Sequence, residues 1–212
     1  MILTIMGIQG SGKGTQADYI AKSYGYTVLS TGEMIRDEIS RKTKIGRSIE
    51  SAMARGELAS DDLTYSMIKG KLLSIGDDKN VLLDGFPRTL NQARMFDQDF
   101  SLGGVILLDL NENSAIKRLS GREQCSNCRA IYGPAKPSSK KGKCDACHSE
   151  LVVRDDDKPQ AIRKRLNLYS KETEPVVKHY LGKGLVRVVD AGQKIPKVSS
   201  DISRLFPDGS FG

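Results

Sequence analysis

The sequence predicts an α/β fold, a parallel sheet with helices wound on both faces, and three features of it carry that prediction. Short Leu-rich and β-branched blocks recur without polar alternation, the pattern of strands buried on both faces. Helical stretches separate these blocks one by one. A glycine-rich loop joins the first block to the first helical stretch. At 212 residues the chain is long enough for one well-buried core and an inserted module. A core of that size removes roughly 70% of the unfolded chain's surface from water.

Taken in order, the expected strands are Ile2–Met6, Thr27–Ser30, Val81–Asp84, Val105–Leu110 and Leu185–Asp190. The expected helices between them begin with Thr15–Ser23. Gly32–Arg41 follows, opened by the capping-box pattern Ser30-x-x-Glu33. Ser60–Ser74 and Thr89–Asp97 come next, the latter with Thr89 as N-cap. Pro159–Leu181 reads as one long helix with proline at its start, where a helix tolerates it. Residues 31–59 hold two helices between the second and third strands, more than a crossover needs. Residues 121–157 are rich in turn formers and poor in apolar residues, the signature of an insertion. The tail after Phe206 reads as a frayed end.

Composition is that of an ordinary globular enzyme, 38% hydrophobic and 28% charged, and no apolar run is long enough to span a bilayer. Residues 1–6 lack the basic region and cleavage site of a leader, so a cytoplasmic chain is expected, with no membrane partner. The formal charge of +7 favours an anionic partner without choosing among nucleic acid, lipid and phosphorylated small molecules.

The loop Gly7-Ile8-Gln9-Gly10-Ser11-Gly12-Lys13-Gly14-Thr15 follows a buried strand and opens a helix. Glycines there let successive N–H groups turn inward on a phosphate, the helix N-terminus adds its dipole, and Lys13 adds a point charge. The hydroxyl expected directly after the lysine is displaced by one residue to Thr15, which argues against Thr15 as a direct Mg²⁺ ligand. Asp84 closes a buried strand, as expected of a carboxylate near Mg²⁺, and Arg88 follows it.

Cys125-x2-Cys128, fifteen intervening residues and Cys144-x2-Cys147 have the spacing of a structural zinc site. Four thiolates fill a tetrahedral shell and leave no open position. Disulfides, an iron–sulfur cluster or idle thiols are the alternatives, each less suited to this spacing or to a reducing compartment.

Five segments occur in the order and spacing of the adenylate kinases. They are Gly7–Gln16, Ser30–Arg36, Leu83–Thr89, Ser120-Gly121-Arg122 and Arg163–Leu166. The chain resembles the long form of that family, with a zinc-binding lid, up to about Pro196. The resemblance implies the P-loop nucleoside monophosphate kinase fold, a five-stranded parallel sheet flanked by helices. It implies a core of residues 1–30, 60–120 and 158–212, an AMP-binding segment of 31–59 and a lid of 121–157. The implied reaction moves a phosphoryl group from ATP to AMP with Mg²⁺, giving two ADP, in a monomer without nucleic-acid partners.

By the same resemblance, Lys13, Asp84, Arg88, Arg122, Arg154 and Arg165 are catalytic. The ATP side takes Gly10, Ser11, Gly12, Lys13, Gly14, Thr15, Arg118, Arg122, Ile131, Tyr132 and Gln193. The AMP side takes Thr31, Arg36, Glu57, Leu58, Ala59, Gly85, Phe86, Pro87, Arg88, Gln92, Arg154 and Arg165, with Gln92 on the adenine edge. Glu33 stands where the family commonly has Asp. Two rival readings of the sequence remain: a kinase for UMP, CMP or GMP, and a basic zinc ribbon that binds nucleic acid.

Overall fold

Blocks that are apolar on both sides of the pleat leave water only in a sheet covered on both faces. In the computed structural model, which describes every residue except Gly56 and Asp77, they form β1 (Ile2–Gly7), β2 (Thr27–Ser30), β3 (Val81–Asp84) and β4 (Gly104–Asp109). Three short strands of the insertion follow, β5 (Glu123–Cys125), β6 (Ile131–Tyr132) and β7 (Leu151–Val152), and then β8 (Val186–Asp190). The main sheet runs β2-β3-β1-β4-β8 and is parallel throughout. The expected strand bounds hold to within a residue.

The helices are α1 (Lys13–Tyr24), α2 (Thr31–Ser40), α3 (Lys44–Ala54), α4 (Asp61–Ile75), α5 (Leu90–Asp99), α6 (Glu112–Ser120), α7 (Pro159–Leu168), α8 (Glu174–Gly182) and α9 (Ile195–Ser203). Two apolar clusters cover the sheet. Ile20 of α1, Leu119 of α6, Ile162 and Leu166 of α7 and Ile202 of α9 meet Leu3, Ile5 and Leu82 on one face. Ile68 and Leu72 of α4, Phe96 of α5 and Tyr180 of α8 meet Leu83 and Val105 on the other. Leu82 and Leu83 go to opposite faces, as the period of two along a strand requires. The carboxyl ends of β1, β2 and β3 carry Gly7, Ser30 and Asp84, and the site assembles there.

Gly7 is required by close approach: a Cβ on it would lie 2.5 Å from the Leu108 carbonyl oxygen, and its φ is +145°. Only glycine lets the chain turn out of the sheet at that point.

Three expectations need correction. Ser30 is the N-cap of α2, but its hydroxyl makes no capping bond and donates to Asp84 Oδ2 at 3.2 Å. Glu33 pairs with Arg36 instead of reaching back. A charged acceptor in register on the next strand is a stronger partner than a helix amide. The single helix expected over Pro159–Leu181 is interrupted by a π-turn at Tyr169–Thr173, just before Pro175. Proline has no N–H to continue the α ladder. The tail is tied down rather than frayed. Gly212 N donates to the Leu205 carbonyl at 3.0 Å, and the Phe211 ring fills the space above Gly104.

The insertion forms its own antiparallel sheet, ordered β6-β5-β7. Its buried apolar centre is little more than Cys125, Tyr132 and Cys144. Among the described residues, no helix is long and apolar enough to cross a membrane.

Candidate active site

The loop between β1 and α1 curls into a cradle closed by its own lysine. Lys13 Nζ donates to the carbonyls of Gly7 at 2.7 Å and Ile8 at 3.1 Å. The first amides of α1 have no intrahelical acceptor. The buried Ser11 hydroxyl also lacks a hydrogen-bond partner among the described residues. Donors without acceptors around a buried cation fit an anion. Burial pushes the Lys13 ammonium down to about 8, opposed by Asp84 and reinforced by Arg88, Arg165 and Arg122. Those causes place Asp84, Arg88, Arg165 and Arg122 within electrostatic reach of Lys13.

The arginines expected at the site converge on it. Burial, and then Arg165, lower the Arg88 guanidinium to about 10. Burial and the neighbouring Arg36 and Arg122 lower Arg154 to about 10. Burial likewise lowers Arg165. Arg88 Nε donates to the Gly85 carbonyl at 2.7 Å. A Cβ on Gly85, at φ +77°, would lie 2.7 Å from the Arg88 guanidinium, so glycine lets that arginine fold back over the end of β3.

Sequence reasoning missed the carboxylates that hold these cations. Asp157, with its side chain fully buried, takes a bidentate pair from Arg122 at 2.7 and 2.6 Å. It also accepts from Arg165 at 2.9 Å, and Asp156 pairs with Arg165 at 3.1 Å. Arg154 Nε donates to Gln124 at 2.8 Å, and its guanidinium lies 3.5 Å from Glu33. The signal in the sequence was the acidic run Asp155-Asp156-Asp157 between Arg154 and Arg165. Lys13, Arg36, Arg88, Arg122, Arg154 and Arg165 outnumber the carboxylates among them, Glu33, Asp84, Asp156 and Asp157.

Beside this cluster lies a pocket lined by Thr31, Ile35, Leu58, Ala59, Thr64, Arg88 and Gln92. Gln92 is buried, with Oε1 accepting from Arg88 N at 2.8 Å and Nε2 donating to Asp61 Oδ1 at 2.8 Å. Asp61, also missed in the sequence, receives Thr89 Oγ1 at 2.9 Å and so fixes which way the amide faces. A side-chain amide has two N–H donors, so one remains for a ligand. Thr31 Oγ1 donates to the Gly85 carbonyl at 2.8 Å. Glu57, at the pocket's edge, is paired with Lys164 at 2.5 Å.

On the far side of the loop, Arg118 donates to the Ala191 carbonyl at 2.8 Å and to Gly10 at 3.4 Å, which lays it beside the cradle. Gln193 is turned to the Asp190 carbonyl at 3.2 Å and Asp201 at 3.0 Å. Ile131 is exposed on the insertion, whereas the Tyr132 hydroxyl reaches inward to Cys144 Sγ at 3.4 Å.

The adenylate kinase family model matches residues 5–185. The chain belongs to the adenylate kinase family. It is 39% identical over 215 positions to an adenylate kinase of Lactococcus lactis subsp. cremoris, covering 97% of this chain and 99% of that one. It is 36% identical over 208 positions to one of Petrotoga mobilis, covering 95% of each. It is 38% identical over 212 positions to one of Streptococcus thermophilus, covering 96% of this chain and 97% of the other. Adenylate kinases are nucleoside monophosphate kinases, with ATP, AMP and ADP as substrates, and this chain is an enzyme of that class.

The insertion can hold a metal ion. All four cysteine sulfurs lie within 4.8 Å of one another. Cys125 and Cys147 approach to 3.4 Å and Cys128 and Cys144 to 3.5 Å, too far for disulfides and all four free. Sulfurs around a tetrahedral Zn²⁺ at about 2.3 Å stand roughly 3.8 Å apart, so the cage has the right size. Donors from Ser149 draw Cys147 down to about 5 and the Tyr132 hydroxyl lowers Cys144, whereas Cys128, despite the Ala130 amide, is pushed up to about 12 by the Cys144 and Cys125 sulfurs.

Proposed function

We propose that this protein converts ATP and AMP reversibly to two ADP in an Mg²⁺-dependent reaction, serving purine nucleotide salvage and energy homeostasis in the cytoplasm. The observation that carries the reading is the surplus of buried cations around Lys13, which calls for polyphosphate between two substrates. Phosphoryl transfer needs alignment and charge neutralisation more than covalent help from the protein. Lys13 and the α1 amides hold the β- and γ-phosphates of ATP, with Ser11, Gly10, Gly12, Gly14 and Thr15 shaping the loop. Arg88 and Arg36 hold the AMP phosphate. Arg122, Arg154 and Arg165 close on the group in transit, kept in place by Asp156, Asp157 and Gln124. The attacking oxygen of AMP bonds to the γ-phosphorus as the bridging oxygen departs with its electron pair on ADP.

Asp84 is the residue that would hold the Mg²⁺ carried in with ATP, a hard oxygen donor at the strand end facing Lys13. When bound, that ion neutralises charge on the β- and γ-phosphates. Gln92, held by Asp61, offers its free N–H to adenine in the pocket formed by Thr31, Leu58 and Ala59, with Glu57 at its edge. Gly85, Phe86 and Pro87 carry Arg88 to the phosphate. Arg118, Ile131, Tyr132 and Gln193 border the ATP base. Residues 31–59 and 121–157 act as two closing segments on the core of 1–30, 60–120 and 158–212. Zn²⁺ on Cys125, Cys128, Cys144 and Cys147 folds the second segment and takes no part in the chemistry, since four thiolates leave no open position. The enzyme works as a monomer on small molecules, without nucleic acid or membrane.

Lys13→Ala and Arg88→Ala test the assignment of charge. Each should lower kcat/KM by roughly 10²-fold or more, because each removes a buried cation aimed at phosphate. Circular dichroism and thermal melting should stay near wild type. Turnover within a few-fold of wild type in either variant would remove that residue from the site.

A further inference from the structure

The two cysteine pairs fold as matching knuckles, and each puts a residue of positive φ directly after its second cysteine: Arg129 at +61° and His148 at +61°. The knuckle bonds impose this. Arg129 N donates to the Cys125 carbonyl at 3.2 Å, and His148 N donates to the Cys144 carbonyl at 2.9 Å. Left-handed backbone is unfavourable for every L residue, and glycine adopts it without a steric penalty. An arginine held there points to a use for its side chain.

That use is visible at the other end of the guanidinium. Arg129 lies 3.4 Å from Glu33 Oε2 and 3.7 Å from Asp37 Oδ1. The two carboxylates are four residues apart on α2 and so share one face of the helix. Glu33 also meets Arg36 and, at 3.5 Å, Arg154. Burial opposes its charge, but the surrounding arginines hold its carboxyl below the usual range. The metal knuckle therefore touches the first helix of the proposed AMP-binding segment directly, and that contact exists only while the two segments are together.

We infer that Arg129 is a positioning residue for closure: it joins the metal knuckle to α2 through Glu33 and Asp37, and makes the ordered knuckle a determinant of AMP affinity. The inference rests on the reading that residues 31–59 and 121–157 close over AMP. An ion pair made only in the closed form shifts the population toward it, lowers the KM for AMP and slows release of product. Arg129 is not among the residues assigned to either substrate, and its described ion pairs go to α2.

Arg129→Gly separates the two roles of the position, because it relaxes the backbone while deleting the contact. Metal content and melting temperature should be equal to or above wild type. The KM for AMP should rise roughly two- to five-fold, the scale of one or two exposed ion pairs, with kcat unchanged or higher. The rise should shrink in high salt. Asp37→Asn should move the KM the same way in the wild-type background and have no effect once Arg129 is glycine. Amide hydrogen exchange across residues 31–40, measured without nucleotide, should be faster in Arg129→Gly.

An unchanged KM for AMP in Arg129→Gly, an equal Asp37→Asn effect in both backgrounds, or unchanged exchange in α2 would overturn the inference. So would a KM change accompanied by loss of metal or melting temperature, which would make Arg129 a structural residue of the knuckle. A wild type that ignores AMP would strike the substrate reading alone, and the exchange comparison would still decide the contact.

Discussion

At the scale of single residues, the site gathers like charges and keeps them dry. Lys13 is the sharpest case, with an ordinary lysine value of 10.5 brought down to about 8 by burial. In the free enzyme it begins to lose its proton just above neutrality, whereas a bound polyphosphate holds it charged. ATP binding above pH 8 must therefore recover a proton. The kcat/KM for ATP should fall on the alkaline side with an apparent pKa near 8, at most tenfold per pH unit. Folding responds with the opposite sign. Between about 8 and 10.5 the unfolded chain binds more protons at this lysine than the native one, so its contribution to nucleotide-free stability rises with pH across that window. A kcat/KM flat to pH 9.5 would contradict the buried lysine.

A second residue links the cysteine cage to its surroundings. Tyr132 gives its hydroxyl to Cys144 and receives the amide of Asp145 at 2.8 Å. Outer-shell partners of this kind change metal affinity by roughly 10- to 100-fold. Tyr132→Phe should release zinc to a chelator correspondingly faster, followed with a zinc-sensitive dye. Retention equal to wild type would show that the hydroxyl has no hold on the metal.

At the scale of elements, the insertion cannot fold on apolar burial alone. Its strands are two or three residues long, and its buried centre consists of two cysteines and a tyrosine. On the proposed reading, metal binding supplies the missing folding energy. Cys144→Ser with Cys147→Ser should lower the melting temperature and free this segment, with turnover largely retained well below the melt. Turnover lost at low temperature with an unchanged melt would make the zinc catalytic.

The clearest main strands were legible because a short apolar run stands beside turn formers, Val81–Leu83 between Asn80 and the Asp84-Gly85 turn and Val105–Leu108 after Gly103-Gly104. The cap of α5 was legible too: Thr89 accepts from Gln92 N at 3.1 Å. The cap of α2 was not, because the partner that captures Ser30 lies 54 residues away on β3. Local patterns cannot register a competitor brought in by the sheet. The break at Tyr169–Thr173 had its sign in Pro175, hidden by the strong helical propensity of the residues before it.

At the scale of the molecule, the order of motifs along the chain named most of the residues that the fold brings together in the candidate site, because each sits at a strand end or helix start that the sheet gathers in one place. The residues it missed are those whose work is to hold others. Asp61 fixes the Gln92 amide, and Asp157 binds Arg122 and Arg165. Such carboxylates look like any solvated acid until the fold buries them. The tail was misread for the same reason, since Phe211 finds its cover at Gly104, more than a hundred residues earlier.

Two phosphate-bearing substrates are proposed to meet over the buried cations, and one of them is AMP. Purified protein should be given ATP and Mg²⁺ with AMP, CMP, UMP or GMP in turn, and the nucleotides separated by HPLC. Two ADP should form per AMP consumed, with no turnover without Mg²⁺ and a kcat/KM for AMP at least tenfold above the other three. Faster turnover of UMP or CMP than of AMP would contradict the proposal.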